Sequence, residues 1–321
     1  MPGKSNSRMA SSQIRTYLAI ARPDHWIKNI FVLPGAAVAI LLTHQIVDRD
    51  LVYRILLSLL VTCIAASANY TINEYLDAEY DRHHPVKHNR PAALGLCDSR
   101  VVTAQYLCLS IASLAIGWAI GPALASAVAA LLLMGLIYNV PPLRSKDRAY
   151  LDVLSESINN PLRFLIGWFA VDRLQFPPSS ILLSYWMGGA FLMAVKRYAE
   201  YRRFGDPGTA AMYRRSFAHY TEASLHLSAL FYAVTSSFFL GVFLIKYRIE
   251  FLITFPFFAL LFTWYMAIGL RSESAAQAPE KLYREWRFMS FVVFLAALVV
   301  ALFLIDLPIM HVLMDPVVFR P

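Results

Sequence analysis

Asn73, Asp77 and Asp81 recur at four-residue intervals within NEYLDAEYDRHHPVKHNRP, residues 73–91. On a helix of 3.6 residues per turn that spacing lines three oxygen-bearing side chains along one face. Two carboxylates and an amide so placed repel or waste polarity unless a cation lies among them. Mg2+ suits such a face, because it takes a few carboxylates and completes its octahedron with phosphate oxygens and water. Asn73, Asp77 and Asp81 are therefore the candidate metal ligands and catalytic residues, with Glu74 and Glu79 pointing elsewhere. The competing reading is a solvated helix end tied by local ion pairs, such as Glu79 with Arg82 or His83. The Asn one turn earlier, and the apolar run at residues 55–72 that delivers the motif to a membrane boundary, favour the metal site.

Arg82, Lys87 and Arg90 follow at once. A metal-bound diphosphate needs such partners, since metal and basic side chains share neutralisation of its charge. An excess of cytoplasmic positive charge explains the bases but not their mixing with aspartates. His83, His84 and His88 lack a clean i, i+4 pair with carboxylate support and read as solvated.

Two further polar clusters occur. In the stretch 138–163, Pro141 and Pro142 end a helix, and Arg144, Lys146 and Arg148 alternate with Asp147 and Asp152. Glu156, Asn160 and Arg163 then share a helix face inside an apolar segment. Such groups are costly in lipid and usually face a cavity; pairing of Glu156 with Arg163 is the plainer alternative. In the stretch 193–223, Lys196, Arg197 and Tyr198 end an apolar segment, with Glu200 and Tyr201 close by. A flexible turn is expected at Gly205–Gly208, and Arg214, Arg215 and Tyr220 follow. This loop reads either as a lid over a phosphate-bearing substrate or as a basic surface loop. Lys28, beside the interfacial anchor Trp26, reads alone as a snorkelling lysine.

The elements that must position these residues are membrane helices. The 321 residues are 58% hydrophobic and only 16% charged, with mean hydropathy +0.51, whereas soluble domains run at about 45–50% apolar and about 25% charged. Nine spans are expected, near 29–47, 51–73, 102–119, 122–139, 151–171, 181–195, 222–245, 250–270 and 288–305. Backbone groups in hydrocarbon must be satisfied within each segment, so the spans are helices. With the N-terminus inside, 22 of the 29 Lys and Arg residues fall on the inner side, which sets the N-terminus in and the C-terminus out. The three clusters then follow alternate helices on one face, a hint of repeated helix pairs. Residues 1–25 form a polar and interfacial N-terminal segment, 26–305 one transmembrane catalytic domain, and 306–321 a tail. The N-terminus lacks the apolar core of a secretory signal. Cys63, Cys97 and Cys108 have no metal-site spacing, and a disulfide framework is not expected. The net charge of +8 is one-sided and suits anionic lipid rather than nucleic acid, for which no motif is present.

NEYLDAEYD resembles the N-D-x-x-D-x-x-x-D signature of the UbiA superfamily of intramembrane prenyltransferases, with Glu74 in place of the usual Asp, and the nine-span count fits that family too. Asp147 and Asp152 sit where that family has its second Asp-containing motif. RPDHWIKN, DAEYDRHHPVKHNRP, KRYAE, and Arg215 with Tyr220 and Thr221 resemble its polyprenyl-phosphate phosphoribosyltransferase branch. YNVPPLRSKDRAYLD departs from that branch's second motif. The resemblance implies an all-α, UbiA-like polytopic fold around a central cavity open to the cytoplasm, in a cytoplasmic (inner) membrane. It implies Mg2+-dependent transfer of 5-phosphoribosyl from phosphoribosyl diphosphate to a polyprenyl phosphate, with release of diphosphate. Lys28, Arg82, Lys87, Arg90, Lys146, Asp147, Asp152, Arg163, Lys196, Arg197 and Tyr198 would bind the substrates. The alternative is a prenyltransferase that moves a polyprenyl group from its diphosphate to an aromatic or other small acceptor. A transporter ranks lower, because the outer loops carry few polar groups. Homo-oligomerisation stays open.

Overall fold

A computed structural model describes residues 13–82, 87–204, 206–247, 249–271, 274–277, 282, 284–305 and 307–310. His83, His84, Gly205 and most of the C-terminal tail lie outside the described residues. All regular structure among the described residues is helical. Among the described residues, seven segments are long and apolar enough to cross a membrane: Gln13–Thr43, Arg49–Asp81, Ser99–Ile120, Pro122–Asn139, Glu222–Tyr247, Ile249–Gly269 and Trp286–Phe303.

The helices are α1 (Val32–Thr43), α2 (Arg49–Asp81), α3 (Ser99–Ile120), α4 (Pro122–Asn139), α5 (Leu151–Ser157), α6 (Asn159–Val171), α7 (Ser179–Phe204), α8 (Pro207–Tyr213), α9 (Glu222–Tyr247), α10 (Phe255–Gly269) and α11 (Trp286–Leu304). A 3-10 segment, Pro23–Phe31, leads into α1.

Two of the nine expected spans differ from plain membrane helices. The fifth is two helices, α5 and α6, joined at Ile158. Pro161 explains the break, because it has no N–H to donate to the Ser157 carbonyl and its ring crowds that carbonyl. The sixth, α7, runs on into KRYAEYRRF and is not among the segments long and apolar enough to cross a membrane. Of the turn expected at Gly205–Gly208, Gly205 lies outside the described residues, and Pro207 and Gly208 open α8. Asp206 accepts the Thr209 N–H (2.8 Å) and hydroxyl (2.9 Å) there. These donors hold the exposed Asp206 carboxyl below its usual pKa.

The chain falls into two compact units. The first is Met1–Phe176 with Ala211–Ser216, and the second is Pro177–Ala210 with Phe217–Pro321. Within the first, α2, α4 and α6 pack on one another, α1 lies along α6, and α3 covers α2 and α4. Gly35 and Gly167 let the backbones of α1 and α6 touch. A Cβ on Gly35 would sit 1.9 Å from the Phe164 carbonyl oxygen, and one on Gly167 would sit 1.9 Å from that of Val32. Small residues at such contacts drive helix association in lipid, where apolar burial alone gives little. In the second unit α9 packs along α7, with α10 set against α7 and α11.

Helix α2 is the element that matters most for the site. Its first turn is capped by Asp48, whose carboxylate accepts the Leu51 N–H at 2.8 Å. Its 33 residues span about 50 Å at 1.5 Å per residue, against a hydrocarbon core of about 30 Å. The last turns, with Asn73, Asp77 and Asp81, therefore extend beyond the apolar layer.

Candidate functional site at the end of the long helix

Each of the two motif aspartates of α2 meets its own pair of cations. Asp77 Oδ1 accepts from Lys146 Nζ at 2.5 Å and from Arg144 Nη2 at 2.8 Å. Asp81 Oδ2 accepts from Arg90 Nη1 at 2.7 Å, and Lys87 Nζ lies 3.9 Å from its other oxygen. The segments 87–98 and 140–150 are thus both pinned to the end of α2 by ion pairs.

Lys146 is nearly buried, at 6% exposure. Burial pushes its ammonium below the usual lysine pKa, and the adjoining Asp77 carboxylate works against that shift. Its third contact is Asn139 Oδ1, at 2.9 Å. The same oxygen accepts from Asn73 Nδ2. Asn139 is itself fixed, because its Nδ2 donates to the Gly135 carbonyl at 2.8 Å. That bond aims the Asn139 oxygen at Lys146 and Asn73, and it turns the Asn73 amide so that its own oxygen remains available.

Arg144 is held at every nitrogen. Besides Asp77, it donates from Nε to Asp147 Oδ2 at 3.0 Å and from Nη1 to the Asn139 carbonyl at 3.2 Å. Its backbone adopts φ of 25°, a conformation L residues rarely take. Such strain persists where surrounding bonds over-determine the residue, and these three do.

The third sequence cluster reaches the same place through Ala211–Ser216. Lys87 Nζ lies 5.5 Å from the Tyr213 ring centroid. Arg215 Cζ lies 4.7 Å from the Tyr80 ring centroid, and its Nη1 is 3.6 Å from Asp147 Oδ2. Ser216 Oγ donates to the fully buried Asp152 carboxylate at 3.0 Å. Asp147 and Asp152 therefore bind side chains of this strap.

Other expected site residues have other partners. Arg82 donates to the Ala93 carbonyl at 3.1 Å and serves its own loop. Arg163 donates from Nε to Asn29 Oδ1 at 3.0 Å, and Asn29 donates to Cys63 Sγ at 3.3 Å, in a separate buried group. Lys28 is half-buried, one residue before Asn29. Glu156 accepts from the Tyr138 hydroxyl at 2.9 Å, and the Tyr138 ring lies 5.9 Å from Lys146 Nζ. Glu74 is buried, at 3% exposure. Lys196, Arg197 and Tyr198 belong to the second unit. There Arg197, fully buried, and Lys196 face Glu200 at 3.1 and 3.9 Å, while the Tyr198 hydroxyl donates to Glu222 at 3.0 Å.

The donor chemistry fits Mg2+. Two carboxylates one turn apart and an oriented amide are hard oxygen ligands. Among the described residues no group of three or more His, Cys, Asp or Glu forms a closed cage. Mg2+ is commonly bound by one or two carboxylates completed by phosphate and water rather than by such a cage.

Residues 30–292 match the model of the UbiA prenyltransferase family. The chain belongs to that family. It is a UbiA-family transferase and a multi-pass membrane protein, as its spans and fold indicate. Among solved structures it resembles a UbiA homolog from Archaeoglobus fulgidus bound to GPP and Mg2+. That match has a TM-score of 0.66 at 20% identity and covers 90% of this chain and all of the other. Among curated relatives, the decaprenyl-phosphate phosphoribosyltransferase of Mycolicibacterium smegmatis is 33% identical over 205 residues, 64% of this chain and 62% of that protein. The protein of the same name from Corynebacterium glutamicum is 31% identical over 216 residues, 64% of this chain and 59% of that one. The matched part of this UbiA chain thus spans less than two thirds of each relative's length.

Asn139 and Asn29 were not singled out by spacing in the sequence. Asn139 stands 66 residues from the Asn73 it orients, and only its polarity at the end of the apolar α4 marks it.

Proposed function

We propose that this UbiA-family protein transfers 5-phosphoribosyl from phosphoribosyl diphosphate to a polyprenyl phosphate at the cytoplasmic face of an inner membrane, with its N-terminus inside. The observation that carries the reading is the gathering of Lys87, Arg90, Arg144 and Lys146 around just two motif carboxylates, Asp77 and Asp81. A prenyltransferase handling one diphosphate needs fewer cations than an enzyme that holds a diphosphate beside two phosphate monoesters. The relatives named decaprenyl-phosphate phosphoribosyltransferase support the same choice.

Asp77, Asp81 and the Asn73 amide oxygen would hold Mg2+ together with the donor diphosphate. When bound, the metal neutralises diphosphate charge and so stabilises the leaving group. Lys146 and Arg144 hold the Asp77 carboxylate in place and Lys146 offers a donor to the same diphosphate, and Arg90 and Lys87 do so at Asp81. Asn139 keeps the Asn73 amide in its ligating orientation. An oxygen of the acceptor phosphate forms the new bond to the anomeric carbon. The bond from that carbon to the diphosphate breaks, and diphosphate leaves with the electron pair. A phosphate dianion is already nucleophilic, so no general base is needed, and the side chains act by positioning and by charge.

The test uses purified protein in detergent with Mg2+, phosphoribosyl diphosphate labelled in the ribose, and decaprenyl phosphate. Label that moves into the extracted lipid supports the reading. No transfer to polyprenyl phosphates of several lengths, by protein shown to be folded, contradicts it.

A further inference from the structure

The Tyr80 ring carries two guanidinium groups, with Arg144 Cζ at 5.2 Å and Arg215 Cζ at 4.7 Å from its centroid. The same two side chains converge on one oxygen, Asp147 Oδ2, at 3.0 and 3.6 Å. Tyr80 immediately precedes Asp81, so this pair stands beside the acidic face of α2. Arg144 is 12% exposed and fixed by its three bonds. The Arg215 side chain is 60% exposed and makes no side-chain hydrogen bond among the described residues, so most of its donors face solvent. Arg215 is thus placed by a ring and a carboxylate, with its hydrogen-bonding capacity left over.

The local charge points the same way. Asp77 and Asp147 are the carboxylates paired here with Arg144, Lys146 and Arg215. Three cations share these two carboxylates, which leaves one positive charge over. A phosphate monoester is close to a dianion at neutral pH, and guanidinium groups bind phosphate oxygens with matched geometry.

We propose that Arg215 and Arg144, held by Tyr80 and Asp147, form a binding site for a phosphate monoester, separate from the oxygens of Asp77 and Asp81. The monoester is either the 5-phosphate of the ribosyl donor or the phosphate of the lipid acceptor; these two identities rest on the phosphoribosyl-transfer reading.

The test is equilibrium binding to the full chain in detergent with Mg2+, using ribose 5-phosphate, decaprenyl phosphate and inorganic diphosphate as separate probes. Arg215→Gln is expected to weaken one monoester roughly tenfold or more, as loss of a charge-assisted bond does, and to leave inorganic diphosphate unchanged. The monoester affected identifies the source. Tyr80→Phe, which keeps the ring, is expected to bind as the wild type does, and Tyr80→Leu to reproduce the loss. Equal weakening of all three probes, or no change in either monoester, overturns the site. Wild-type protein that binds neither monoester but prenylates an aromatic acceptor from a polyprenyl diphosphate overturns the transfer reading as well. Wild-type protein that binds both monoesters, with Arg215→Gln unaltered, overturns the site alone.

Discussion

At Lys146 three demands meet in one side chain: an ammonium nearly out of water, a carboxylate at 2.5 Å, and an amide oxygen shared with Asn73. Taking a charge out of water is costly, and Asp77 offsets that cost. The pair is therefore fragile when halved. Asp77→Asn leaves the ammonium buried without its carboxylate and is expected to lower stability by about 3 kcal/mol, read as a lower unfolding temperature in detergent. Lys146→Met removes the buried charge itself, so stability should change little, while kcat/KM should fall about a hundredfold for loss of a preorganised donor. A Lys146→Met variant with full activity would remove Lys146 from the site. The acidic spacing of α2 and the adjoining bases were legible in the sequence, because four-residue steps on a helix put side chains on one face. The amide lock through Asn139 was not, since nothing local relates residues 66 positions apart.

At the scale of elements, close helix contact and a pinned strap position the site. Any side chain on Gly35 collides with the Phe164 carbonyl, and overpacking of this kind costs roughly 1–3 kcal/mol. Gly35→Ala should lower the unfolding temperature, whereas Gly95→Ala, with open space around its Cβ but φ of 73°, tests only backbone strain in a loop. The strap Ala211–Ser216 is tied down by Asp152 and Asp147. Asp152→Ala should release it, so trypsin should cut after Arg214 and Arg215 faster than in the wild type; an unchanged cleavage rate would show that Asp152 does not hold the strap. The sequence placed most spans within a few residues, since each is a long apolar run. It missed the break at Ile158, where Pro161 interrupts a pattern whose hydropathy alone reads as one helix. The helical continuation of α2 through its polar last turns agrees with the four-residue spacing of Asn73, Asp77 and Asp81.

For the whole molecule, family and membrane character follow from matches along most of the chain, and the proposed orientation rests on charge alone. The proposed inside N-terminus puts the 140–150 loop in the cytoplasm and the short connection at 172–178 outside. A cysteine placed at Arg148 in a background without Cys63, Cys97 and Cys108 should be labelled by an impermeant maleimide only in inverted vesicles, and one at Arg173 only in intact cells. Reversed labelling would move the acidic face to the other side of the membrane. The central claim concerns which substrate carries the lipid, and one experiment decides it most directly. Equal samples of purified protein with Mg2+ receive either phosphoribosyl diphosphate with decaprenyl phosphate, or a polyprenyl diphosphate with an aromatic acceptor, and product formation is compared with and without EDTA and in Asp77→Ala. The account predicts product from the first pair alone, lost on chelation and in the variant. Product from the second pair alone would contradict it and make this chain a prenyltransferase of the more usual kind.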